Sequence, residues 1–252
     1  MARLDWEGCV NVRDLGGLPT ADGGSLREGV LIRADSLLEL TARGWAAVGA
    51  AGVTAVVDLR DHDAPASAPP PDLGIEVTRV ELYPEYALPI AELAAADATD
   101  RPGGDDLAAF FGRRYVDKLE RRSSLVAEAV AAIAAADGPA VVHCQAGKDR
   151  TGVIVALVLR LAGVPIEAVV ADYVLSETDG RVALERWVDA AGDERDRAER
   201  ARRLGAPAAA MGLLLAVLDE RHGGARAYLL GAGVPAADLD RLTGRLNNLL
   251  PS

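Results

Sequence analysis

The sequence predicts an α/β fold, a central and mostly parallel sheet flanked by helices, with extra helices added at the C-terminal end. Short runs rich in branched residues recur through the first two thirds: VLIR (30–33), VTAVVDLR (53–60), IEVTRVEL (75–82) and AVVHC (140–144). Segments of helical periodicity lie between and after them, and strands interleaved with helices favour a sheet covered on both faces. The 252 residues, half of them apolar, are ample for a buried core.

Each helix carries its own signal. TARGWAAVGAAG (41–52) ends on glycine just before the second strand. DDLAAFFGRRYVDKLERRSSLVAEAVAAIAAADG (105–138) reads as two helices, the second stopping at Gly138-Pro139. RTGVIVALVLRLAGV (150–164) is apolar enough to be buried, and PIEAVVADYVLSE (165–177) follows with Pro165 at its first turn. From 181 onward the pattern is helical, broken at Gly205–Pro207, Gly223-Gly224 and Gly231–Gly233. DHDAPASAPPPDLG (61–74) and AAADATDRPGGDD (94–106) read as loops. TDGRVALERWVDAAGDERDRAERARRLG (178–205) carries dense charge of both signs, which fits solvated helices laced with i,i+4 ion pairs or a helical cap over a neighbouring site.

The net charge of −11 argues against nucleic acid and anionic lipid surfaces as non-specific partners. It also means that a site for an anionic substrate must generate its own local positive field. No apolar run approaches the 20 or so residues of a membrane span, so no integral membrane segment is expected. The first residues, MARLDWEGCVNVRDLGG, lack the apolar core of a signal peptide. With only two cysteines, Cys9 and Cys144, the expectation is a reducing, cytoplasmic setting, with leaderless secretion left open.

The chemistry concentrates in AVVHCQAGKDRTGVIVALVLRLAG (140–163). Gln145 to Arg150 connect a strand end to a helix start, where backbone N–H groups lack partners and the helix dipole is positive. Such a loop makes an anion nest, most naturally for phosphate, from Gln145, Ala146, Gly147, Lys148, Asp149, Arg150 and Thr151. Gly147 allows close backbone approach and Gly152 tight helix packing. At its mouth the oriented dipoles and a guanidinium favour the thiolate of Cys144, which can attack a phosphomonoester and carry the phosphoryl group. Arg150 can clasp two phosphate oxygens with its planar fork, and Thr151 can donate a hydrogen bond to the sulfur. His143 is expected to orient the loop rather than act as a base.

Other readings of the loop fit less well. A nucleoside-triphosphate P-loop would need Ser or Thr after Gly147-Lys148, where Asp149 stands. A zinc site would need a second Cys or His pair nearby, and no metal or other cofactor is expected. A sulfur-transferring persulfide site would share the cradle but has no use for the run Lys148-Asp149-Arg150-Thr151. A catalytically silent phosphate-recognition module of the same fold remains the alternative to an enzyme.

The string HCQAGKDRTG resembles the phosphate-binding loop of cysteine-dependent protein tyrosine phosphatases, in particular a bacterial, atypical branch whose loop reads H-C-x-x-G-K-D-R-T. NVRDLGGL (11–18), LIRADSL (31–37), VVDLR (56–60) and LDERHGGARAYLLGAGVPAADLDRL (218–242) are similar to segments of that family too, so the resemblance spans nearly the whole chain. It implies one phosphatase domain over 1–252, a phosphorylated protein or phospholipid substrate, inorganic phosphate as product, and a metal-free route through a phosphocysteine.

The leaving oxygen then needs a proton donor. Glu85 lies where the resembling phosphatases carry an acidic loop residue, more often aspartate, and Asp149 sits in the phosphate loop itself; Asp97, Asp100, Asp105 and Asp106 are weaker choices. In similar phosphatases a lysine at the place of Lys148 accompanies acceptance of phosphoinositides beside phosphotyrosine. Asp58 and Arg60 close the second strand on the side where sites form in open α/β sheets, a supporting position. Arg33 and Asp35 are weaker supports, and Asn11, Arg13 and Asp14 read as fixing a turn.

Overall fold

The computed structural model describes residues 1–66, 68–82, 105–202 and 204–247. Among these, six strands form one sheet: β1 (Ala2–Arg3), β2 (Arg13–Asp14), β3 (Leu31–Ala34), β4 (Ala55–Asp58), β5 (Glu76–Arg79) and β6 (Ala140–His143), in the order β1-β2-β3-β6-β4-β5. β3, β6, β4 and β5 run parallel, and β2 and β1 extend the β3 edge antiparallel. The helices are α1 (Ala42–Ala50), α2 (Asp105–Arg121), α3 (Ser123–Ala135), α4 (Asp149–Leu161), α5 (Ile166–Asp179), α6 (Arg181–Asp189), α7 (Glu194–Arg202), α8 (Ala208–His222), α9 (Ala225–Gly231) and α10 (Ala236–Leu246).

Strand alternation sorts the core into two layers. Ile32, Val141 and Val56 lie side by side in register and face a small cluster with Trp6, Leu37 and the α1 residue Val48. Leu31, Val142 and Val57 face the larger layer, built with Tyr115 of α2, Val130 of α3, Leu157 of α4, Tyr173 of α5, Leu214 of α8 and Leu239 of α10. α4 is buried on every side between Val153 and Leu159, as its unbroken apolar run requires. A Cβ at Gly152 would stand 3.1 Å from the Tyr173 ring, so this glycine lets α4 and α5 close on each other.

The fold agrees with the α/β expectation, and the differences lie at element ends. β4 stops at Asp58, two residues early, because the Arg60 N–H turns back to donate to Asp58 Oδ1 at 3.0 Å. β1 and β2 are too short for alternation to mark them. Asp105 and Asp106, where the expected loop 94–106 and the expected helical stretch 105–138 overlap, belong to the helix and open α2. The charged stretch 178–205 is helical as expected: after the end of α5 it holds α6 and α7, parted at Ala190–Asp193, where Asp193 Oδ1 accepts from the Asp196 N–H at 2.8 Å.

Candidate active site

The row Ala34, His143 and Asp58 ends the three central parallel strands, and Cys144 is the next residue of the β6 chain. From there the loop turns into α4, whose first residue is Asp149. Three successive loop carbonyls are tied backward. The Ser36 N–H donates to Gln145 O at 3.1 Å, Asn11 Nδ2 to Ala146 O at 2.8 Å, and Arg33 Nη2 to Gly147 O at 2.6 Å. In a planar trans peptide the N–H points opposite to the carbonyl. The N–H groups of Ala146, Gly147 and Lys148 therefore face the other side of the loop, which is the requirement for an anion nest. Gly147 has φ +65°, and a Cβ there would come within 2.5 Å of Ala34 O, so the loop can lie against β3 only with glycine at this position.

Cys144 is 3% exposed. Arg150, in the first turn of α4, donates from Nη1 to Leu59 O at 3.2 Å and to Asp61 Oδ1 at 3.0 Å, an anchor from the segment that follows β4. Thr151 Oγ1 is buried with no hydrogen-bond partner, beside the helix start. His143 is fully buried, its Nδ1 3.3 Å from Cys144 O and its Nε2 3.6 Å from Asp58 Oδ1. Burial, aided by Arg60 and Arg150 against the pull of Asp58, pushes its imidazole down to about 4, so the ring is neutral at pH 7. Burial presses the Asp58 carboxyl upward, but hydrogen bonds from the Arg60 guanidinium and backbone N–H outweigh it and hold Asp58 below its usual range. Arg60 grips Asp58 through Nε and Nη2 at 2.9 and 2.7 Å and also reaches Ser36 Oγ and Pro65 O, so it braces the segments around the site.

Lys148 and Asp149 turn toward the helices. Lys148 Nζ donates to Gly205 O at 2.7 Å, lies 3.4 Å from Asp149 Oδ1 and sits over the Phe111 ring at 4.6 Å. The Tyr115 hydroxyl of α2 donates to Asp149 Oδ1 and is 2.7 Å from the Tyr173 hydroxyl of α5. Burial, with Asp149 close by, pushes both phenols above their ordinary range. The pair α6–α7 departs next to this loop and returns to it: a Cβ at Gly180 would lie 3.7 Å from Ala146 O, and Gly205 is the Lys148 partner.

Charge gathers here against the trend of the chain. Among the described residues the buried ionic side chains are Arg13, Arg33, Arg60, Lys118, Lys148 and Arg150 against Asp35, Asp58 and Asp172. The interior is cationic although the whole chain is strongly anionic, so the positive field is confined to short range.

Residues 4–248 match the model of the tyrosine phosphatase family. The chain belongs to that family. It is 33% identical over 222 residues to a tyrosine-protein phosphatase of Nostoc commune, covering 85% of this chain and 73% of that protein. It is 29% identical over 288 residues to the triple specificity protein phosphatase PtpB of Mycobacterium tuberculosis, covering 98% of this chain and 99% of that one.

Of the residues singled out in the sequence of this phosphatase, His143 to Thr151, Asp58 and Arg60 lie together at the carboxyl end of the sheet, while Glu85, Asp97 and Asp100 lie outside the described residues. Asn11 and Arg33, read as a turn residue and a weak support, are bonded straight to the loop. Asp61, Tyr115 and Asp172 were not singled out at all, since each reaches the site from a separate part of the chain. Among the described residues no group of three or more His, Cys, Asp or Glu is arranged to hold a metal ion, and no helix is long and apolar enough to cross a membrane.

Proposed function

We propose that the chain hydrolyses phosphotyrosine in proteins through a phosphocysteine at Cys144. The sulfur attacks phosphorus at the centre of the nest, and the bond from phosphorus to the tyrosyl oxygen breaks. Arg150, anchored through Nη1 by Leu59 O and Asp61, clasps the equatorial oxygens as their charge redistributes. Either Asp149 or Glu85 gives the leaving oxygen its proton. Water then attacks the phosphocysteine, Thr151 Oγ1 stabilises the departing thiolate with the hydrogen bond it otherwise lacks, and inorganic phosphate leaves. The observation that carries this reading is the backward tethering of the Gln145, Ala146 and Gly147 carbonyls, which presets three N–H donors before any anion arrives. Hydrolysis of an aryl phosphate, inhibited by vanadate and abolished in Cys144→Ser, is the expected result; turnover that survives Cys144→Ser overturns the covalent route.

The substrate range extends to phosphoinositides and to phosphoserine or phosphothreonine, a reading supported by the triple specificity in the name of the mycobacterial relative and by the cation of Lys148 beside the loop. Lys148→Ala is expected to lower phosphoinositide turnover more than aryl phosphate turnover, and equal losses on both would count against it. The helices α6 and α7 act as the cap of this site, a role supported by the roots of the pair at Gly180 and Gly205.

A further inference from the structure

Below the loop lies a cluster of charges from three distant parts of the chain. Arg33 of β3 donates from Nη1 to Asp172 Oδ2 and from Nη2 to Gly147 O. Arg13 of β2 donates from Nε to Asp172 Oδ1 at 2.8 Å, from Nη2 to Asp172 O at 2.6 Å and Ser176 Oγ at 3.1 Å, and from Nη1 to Asn11 Oδ1 at 2.6 Å. Asn11 passes the restraint on, since its Nδ2 holds Ala146 O. Asp179 stands 3.6 Å from Arg13, and the side chains of Arg13, Arg33 and Asp172 are at most 2% exposed.

We propose that Asp172, Arg13, Arg33 and Asn11 form a positioning unit that turns the N–H groups of the phosphate loop toward the phosphate, a role that rests on the phosphatase reading above. Burying three ionised groups is a poor way to glue a helix to a sheet, because apolar side chains of similar volume stabilise such a contact as well or better. The cluster instead delivers two directed donors to two adjacent carbonyls, at the peptides whose N–H groups form the nest. Asp172 fixes both guanidinium planes, so neither can swing away from its target. Burial and the neighbouring Arg33 lower Arg13 to about 10, against the pull of Asp172, so Arg13 stays charged at pH 7.

The test measures vanadate inhibition and kcat for an aryl phosphate in Arg33→Lys, Asn11→Ala and a control, Leu239→Ala, which opens the α10 core away from the loop. Arg33→Lys keeps the charge but replaces the two-armed fork with a single ammonium. The expected result is that both loop variants, with native circular dichroism, bind vanadate about tenfold more weakly and turn over more slowly, while Leu239→Ala melts at least as early yet keeps wild-type vanadate affinity. Wild-type vanadate affinity in either folded loop variant overturns the proposal, as does an equal loss in Leu239→Ala. Failure of both loop variants to fold overturns it too, because the unit would then serve the fold and not the loop. Failure of the phosphatase reading itself is distinct: the wild-type chain would show no vanadate-sensitive turnover, or Cys144→Ser would retain it.

Discussion

His143 is a buried ring that the site keeps neutral, and its burial ties stability to pH. In the unfolded chain it titrates near 6.5, whereas in the folded chain it resists protonation until about 4. Above pH 6.5 both states are neutral, and the ring contributes no pH dependence. Between pH 6.5 and 4 the unfolded chain binds a proton that the native one refuses, so stability falls as pH falls, by about 3 kcal/mol in all. His143→Gln is expected to remove that part of the loss, which urea unfolding of both proteins at pH 7 and pH 5 measures. Equal drops in stability in the two proteins would show that the histidine is not the group responsible. Arg150 and Arg33 show a second residue-scale lesson. Both are basic residues next to the loop from Cys144 to Lys148, yet one meets Asp61 and Leu59 O while the other passes beneath to Gly147 O, a division of labour that composition cannot display.

At the scale of elements, three helices converge on one turn. α4 supplies the helix start, α5 supplies Asp172 and Tyr173 from adjacent positions, and α2 supplies Tyr115, whose hydroxyl links Tyr173 to Asp149. The Asp149 carboxylate, one of the two candidate acids, is thus fixed by two helices other than its own. With Asp149 as the acid, Asp149→Asn loses the basic limb of the pH profile of kcat/KM, because no donor remains to deprotonate. Retention of the limb there together with its loss in Glu85→Gln would transfer the role to Glu85, and retention in both would exclude the two.

For the whole molecule, the contrast between a net charge of −11 and a cationic interior has a kinetic consequence. The acidic exterior repels an incoming phosphate over distances that salt screens, with a Debye length of about 8 Å at physiological ionic strength. The buried cations act at contact, where screening is weak. Raising salt from about 20 to 150 mM should therefore leave kcat/KM for a small aryl phosphate unchanged or raise it, and a steep fall would mean that long-range attraction governs encounter.

The α/β class, the buried character of α4 and the segment from His143 to Thr151 were legible in the sequence because each depends on neighbours in the chain: alternation, apolar periodicity, and a strand-to-helix turn with glycine at the tight point. Asn11, Arg13 and Arg33 were visible as motifs, but their purpose was not. Their partners lie more than 100 residues away, at Ala146, Asp172 and Gly147. Likewise the sequence named candidate carboxylates, but only the tertiary structure put Tyr115 on Asp149 and Asp61 on Arg150. Local chemistry decides which residues can form a phosphate nest. Which way its carbonyls turn is decided by side chains that arrive from other strands and helices, and that depends on how the sheet and helices close around the loop.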